Sequence, residues 1–173
     1  MYDPTIFENL KVAFENHVYD LDNLDRKIDI MNRRDRMDFA VLNRDFAIQF
    51  ALADQPDVTA EIRLAASVKE LAEEILEVAS EQIGCALSVR FIKTVHNVAK
   101  ECPQIEQVLN TIWETEVQLT QTLSFVHGQQ QPGYQNMIDM QFKSKISEEH
   151  MGELADFLNH VLQSLEVLNT IDR

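Results

Sequence analysis

Phe46-Ala47-Ile48-Gln49-Phe50-Ala51-Leu52 puts Phe, Ile, Phe and Leu at alternate positions. That period of two belongs to a strand with one buried face. Asp54-Gln55-Pro56-Asp57 follows, and Pro with flanking Asp is turn chemistry. Val58, Ile62 and Leu64 then alternate with Thr59, Glu61 and Arg63, so the two runs form an antiparallel hairpin. Ser67-Val68-Lys69-Glu70 is a capping box that opens a helix with Leu71, Ile75, Leu76 and Ala79 on its apolar face. Gly84 is expected to end that helix in the left-handed conformation.

The same order recurs downstream. Val117, Leu119, Leu123 and Phe125 mark one strand, and Ile138, Met140 and Phe142 mark its return, across a polar loop from His127 to Asn136. Ser147 caps a last helix whose stripe is Met151, Leu154, Leu158, Val161, Leu162, Leu165 and Leu168. Glu70-Leu71-Ala72 resembles Glu153-Leu154-Ala155, which hints at two related strand–strand–helix halves, 46–82 and 117–168. Between them, Leu87, Val89 and Phe91 alternate in a strand reaching about Val95, and Cys102-Pro103 is expected to open a helix carrying Ile105, Val108, Leu109, Ile112 and Trp113. At the start, Asp3-Pro4 with Ile6, Phe7, Leu10 and Phe14 predicts a helix to about residue 16. Val18–Asp22 and Lys27–Met31 read as short strands, with a helix over Asp25–Met31 as the alternative.

Hairpins predict a mainly antiparallel sheet, and one-sided helices predict that they cover one face of it: an α+β fold in a single domain spanning 1–173. The order helix–strands–helix–strands–helix resembles that of small acidic secretion chaperones, an analogy of architecture carried by no sequence motif. At 173 residues the chain buries roughly 70% of its unfolded surface and needs no metal or disulfide to fold.

The formal net charge of -14 argues against binding nucleic acid or an anionic membrane, both of which need clustered cations. No run approaches a membrane span, and Met1-Tyr2-Asp3-Pro4 has no signal-peptide character. Cys85 and Cys102 read as free thiols, so a reducing cytoplasm is the expected compartment.

Chemistry is sparse. Asp20 to Asp25 fails the calcium-loop spacing, with Asp25 where Gly is needed and Met31 where Glu is needed. Cys102 at a helix start would have a stabilised thiolate, with His96 nearby as a base, so it is the candidate reactive thiol. Glu149, Glu153, Asp156 and His160 share one sector of the last helix, which reads as its wet face; no metal and no cofactor are expected. Arg33, Arg34 and Arg36, with Arg26, Lys27 and Arg44 around them, suit an acidic partner or the acidic helix face Glu70, Glu73, Glu74 and Glu77, within one chain or across a dimer. Tyr134 in the long loop is a candidate partner anchor. The expected function is non-enzymatic binding of a protein partner or of a second copy as a homodimer. The alternative is a small-molecule binder or enzyme with its pocket between sheet and helices.

Overall fold

A computed structural model describes residues 5–77, 83–114 and 117–171. Four helices and six strands follow in the order α1 Thr5–Asn23, β1 Ile28–Asp38, β2 Asn43–Leu52, β3 Gln55–Ala66, α2 Val68–Ile75, β4 Ala86–Val95, α3 Val98–Trp113, β5 Val117–Ser124, β6 Tyr134–Phe142 and α4 Leu154–Thr170. The strands make one antiparallel sheet in the order β1-β2-β3-β4-β6-β5. The fold is α+β.

Registry explains the layering. Ile48 pairs with Ile62, Ile62 with Val89, Val89 with Met140 and Met140 with Leu119, so the apolar positions of five strands share one face. Helices α1, α3 and α4 cover that face: α1 packs on β1 and β3, α4 on β2 and β3, and α3 on β4 and β5. Phe7, Phe14, Phe46, Phe50, Phe91, Ile105 and Leu109 are fully buried between the layers. The other face carries Asp45, Ala47, Gln49 and Ala51 from β2 and Glu61, Arg63 and Ala65 from β3.

Several boundaries differ from the sequence expectation for identifiable reasons. The strand expected at Val18–Asp22 is helix, because Phe7, Leu10, Phe14 and Val18 continue one buried stripe at spacings of three and four. The strand expected at Lys27–Met31 exists but runs on to Asp38, and Met31 is the unpaired residue where the β1–β2 register shifts between Ile30 and Asn32. A helix over Asp25–Met31 is thereby excluded. Helix α3 starts at Val98, capped by the Asn97 side chain accepting from the Lys100 amide at 3.2 Å, so Cys102 lies in its second turn. Ser147 begins a 3-10 turn, Glu148–Glu153, that leads into α4; its amide donates to His150 Nδ1 at 3.0 Å. The expected helical position Ala79 lies outside the described residues.

Gly84 does not have a positive φ. It is small for another reason. A Cβ there would overlap the Ile146 carbonyl, which lies so close because Cys85 and Ile146 exchange two backbone hydrogen bonds of 2.8 and 2.9 Å. That bridge joins the start of β4 to the chain entering the 3-10 turn.

Candidate functional site

The arginine-rich stretch forms β1, and pleating divides it. Arg33 and Asp35 face the helix layer, while Arg34 and Arg36 lie on the open face opposite Ala47 and Asp45. Each arginine has an acidic partner. Arg33 meets Glu15 of α1 at 2.6 Å and sits 5.7 Å from the Phe46 ring. Arg34 and Arg36 both reach Asp45, at 3.3 and 3.0 Å. The acids that answer the cluster are therefore Glu15 and Asp45. Glu70 and Glu73 of α2 are turned to Lys145 instead, at 3.2 and 4.0 Å.

Asp35 is the hub of a more buried network. It meets Lys11 at 2.9 Å and Arg44 at 3.1 Å, and both cations also reach Glu8. Arg44 lies over the Phe7 ring at 4.9 Å. Burial opposes ionisation of Asp35, but Lys11 and Arg44 outweigh it and hold its carboxyl below the ordinary carboxylate range. This network ties α1 to β1 and β2.

The turn between β1 and β2 exposes an apolar cluster, as the chain does at Ile75-Leu76 and Phe125-Val126 elsewhere. Phe39 is 67% exposed, Val41 52% and Leu42 44%. Asp38 Oδ1 accepts from the Ala40 amide at 2.9 Å and shapes the turn. Leu42 has φ 56°, a left-handed conformation that is costly for a bulky residue and routine for Gly or Asn. Three large apolar side chains are thus exposed together at this hairpin tip, one of them on left-handed backbone. Sequence reading missed this tip. The available signal was an apolar run, Phe39-Ala40-Val41-Leu42, bounded by Asp38 and Asn43 with no Gly or Pro.

Tyr134 lies at the other end of the sheet. It opens β6, packs edge-on against Phe125 with centroids 6.0 Å apart, and lines an open cleft of about 550 Å³. Lys93 and His96 line the same cleft; Lys93 is buried and donates to the Ile171 carbonyl at 3.1 Å. The structure thus separates Tyr134 from Arg33, Arg34 and Arg36.

Cys102 is half-buried, and burial together with the neighbouring Glu101 raises its thiol above the ordinary value. Cys102 lies in the second turn of α3, beyond the cap: the Asn97 side chain accepts from the Lys100 amide, and the Glu101 carboxylate accepts from the His96 and Asn97 amides just before the helix, at 3.0 and 2.7 Å. His96 instead lies against Gly133. Burial, then Glu74 and Glu70, push the Cys85 thiol up to about 12. On the last helix His160 Nδ1 is 2.7 Å from the Asp156 carbonyl and its ring lies 5.4 Å from Trp113. Among the described residues no group of three or more His, Cys, Asp or Glu side chains converges as metal ligands would, and no helix is long and apolar enough to cross a membrane.

Comparison with protein families, with curated proteins and with solved structures finds no match to this chain.

Proposed function

We propose that this chain is a non-enzymatic, cytoplasmic protein-binding module that inserts its β1–β2 hairpin tip into an apolar groove of a partner protein. The observation that carries the reading is the tip itself: Phe39, Val41 and Leu42 exposed together on a strained turn. Buried aromatic and aliphatic anchors supply most interface energy. Arg36, with 65% of its side chain exposed, stands beside the tip as a rim group. Arg33 and Arg34 support the strand behind it through Glu15 and Asp45.

The test replaces the tip and leaves the core alone. Phe39→Ser with Val41→Ser should melt like the parent, and a photo-crosslinking residue at position 39 should capture one partner that the double variant no longer retains. A double variant that keeps every partner of the parent would remove the tip from the interface.

A groove of about 300 Å³ between sheet and helix layer favours the small-molecule alternative, with Leu87, Phe142, Leu154 and Phe157 on its walls. Native mass spectrometry of gently purified protein decides this reading. A reproducible added mass, lost in Phe157→Ala, supports it, and its absence at saturating supply of apolar ligands counts against it.

A further inference from the structure

The two edges of the sheet are built differently. β1 is broken by the register shift at Met31 and carries Arg33, Arg34, Asp35 and Arg36, the charges and irregularity that keep an edge from pairing with another chain. β5 has none of this. Val117-Gln118-Leu119-Thr120-Gln121-Thr122-Leu123-Ser124-Phe125-Val126 runs ten residues without a charge, Pro or Gly, in a chain of net charge -14. Among the described residues its one strand neighbour is β6, so its outer backbone groups have no ladder partner. Val117, Leu119 and Leu123 on the helix-facing side are only half-buried.

The order of residues in β5 suits a second copy of the same strand. Reading outward from Gln121 in both directions gives Thr120 and Thr122, Leu119 and Leu123, Gln118 and Ser124, Val117 and Phe125. The strand is a palindrome in chemical type. Two antiparallel copies related by a two-fold axis at Gln121 bring each residue against the one equally far on the other side, so Thr120 meets Thr122, Leu119 meets Leu123 and Val117 meets Phe125, cross-strand pairs of stabilising kinds.

We propose that a second copy of this chain pairs with β5, antiparallel, with the two-fold axis at Gln121, to form a continuous twelve-stranded sheet. Leucine meets leucine, threonine meets threonine, and Val117 covers the partner's Phe125, which is otherwise 67% exposed and braced by Tyr134. Gln121 is preset at the axis: its Nε2 donates to the Cys102 carbonyl at 2.9 Å, and its Oε1 accepts from Asn136 Nδ2 at 2.8 Å. An axis normal to the sheet keeps both helix layers on one side, so the two α3 helices, each packed on its own β5, flank the axis. Nine paired residues span about 30 Å. This surface is distinct from the hairpin tip, and the inference stands without it.

The experiment is sedimentation velocity on the full chain, with native mass spectrometry for stoichiometry. The parent is expected to be a dimer at micromolar concentration. Thr120→Lys with Thr122→Lys opposes lysines across the axis on exposed positions that a single chain tolerates, and should give a folded monomer that melts cooperatively, below the parent only by the loss of dimer association. Mixing it with Thr120→Glu/Thr122→Glu should restore a one-to-one dimer, since lysine then faces glutamate at both positions. A parent that stays monomeric at about 100 μM, or a double-lysine variant that stays dimeric, overturns the proposal. A double-lysine monomer that the glutamate variant does not rescue overturns the register.

Discussion

Replacing Asp35 with Asn tests whether the basic strand is held by the protein itself or is free for an acidic partner. Asp35 pairs with Lys11 at 2.9 Å and Arg44 at 3.1 Å, and each of those cations has only 10% of its side chain exposed. Asn keeps the shape and removes the charge. Losing one partner of a buried ion pair costs about 3–5 kcal/mol. Glu8 still reaches both cations, at 2.7 and 3.1 Å, so the low end applies and about 3 kcal/mol is expected. For a chain of this size that lowers the melting temperature by about 6–12 °C. The pH dependence has a definite sign. The Asp35 pKa is lowered by folding, so its stabilisation is present above its unfolded value, about 3.9, and is lost as pH falls through the folded value. The parent should therefore lose stability below about pH 4 more steeply than Asp35→Asn. Urea denaturation from pH 7 to 2.5 measures both quantities, with exposed Asp29→Asn as the control, expected within about 0.5 kcal/mol of the parent. Equal stability of Asp35→Asn and parent at pH 7 would refute the network and return the strand's cations to an external anion.

Gly84→Ala forces the Ile146 carbonyl away and should cost about 1–3 kcal/mol in the same titration; an unchanged midpoint would mean that the Cys85–Ile146 bridge gives without cost. Leu42→Asn relieves the left-handed strain of about 1–2 kcal/mol while losing roughly 1 kcal/mol of partial burial, so stability should stay within about 0.5 kcal/mol of the parent even though an apolar residue is lost; a loss above about 2 kcal/mol would show that the tip serves the core. At pH 7.5 iodoacetamide should alkylate Cys102 more slowly than a free cysteine peptide, because a raised pKa leaves less thiolate, and should reach Cys85 only on unfolding; faster labelling of Cys102 would revive it as a reactive site.

Period-two runs were legible wherever a strand has a neighbour on each side. Phe46 to Leu52 and Leu87 to Val95 are buried on one face by the helix layer and flanked within the sheet, so their chemistry is dictated by position. β1 was hard to read for the opposite reason. Its edge position and the Met31 shift replace alternation with charge, and Arg33 and Asp35 occupy core-facing positions because Glu15, Lys11 and Arg44 neutralise them. No local pattern announces a lysine 24 residues away. Gly84 was assigned to the wrong cause, since a glycine required by a neighbouring carbonyl reads the same in sequence as one required by its own φ. Cys102 was misplaced because Pro103 suggested a first turn, whereas Asn97 had already capped the helix five residues earlier. The cluster Arg33, Arg34 and Arg36 is visible in the sequence, but its acidic partners Glu15 and Asp45 are set by tertiary pairing.

The two proposed surfaces constrain each other. β1 and β5 are opposite edges of one sheet, so pairing through β5 leaves each β1 at an outer edge of the joined sheet. Eleven strand spacings of about 4.8 Å then separate the two β1 strands by about 50 Å. The axis also reverses strand direction, which sends one Phe39–Leu42 tip to one end of the assembly and its counterpart to the other. The two tips thus lie at opposite ends of the assembly, away from the axis at Gln121. On these two proposals the expected stoichiometry is two to two, with equal affinity at each tip. The double-lysine monomer should bind one partner with the parent's intrinsic affinity. Binding that falls with dimer disruption would place the partner across the axis, on Tyr134 and Phe125, and not on the tip.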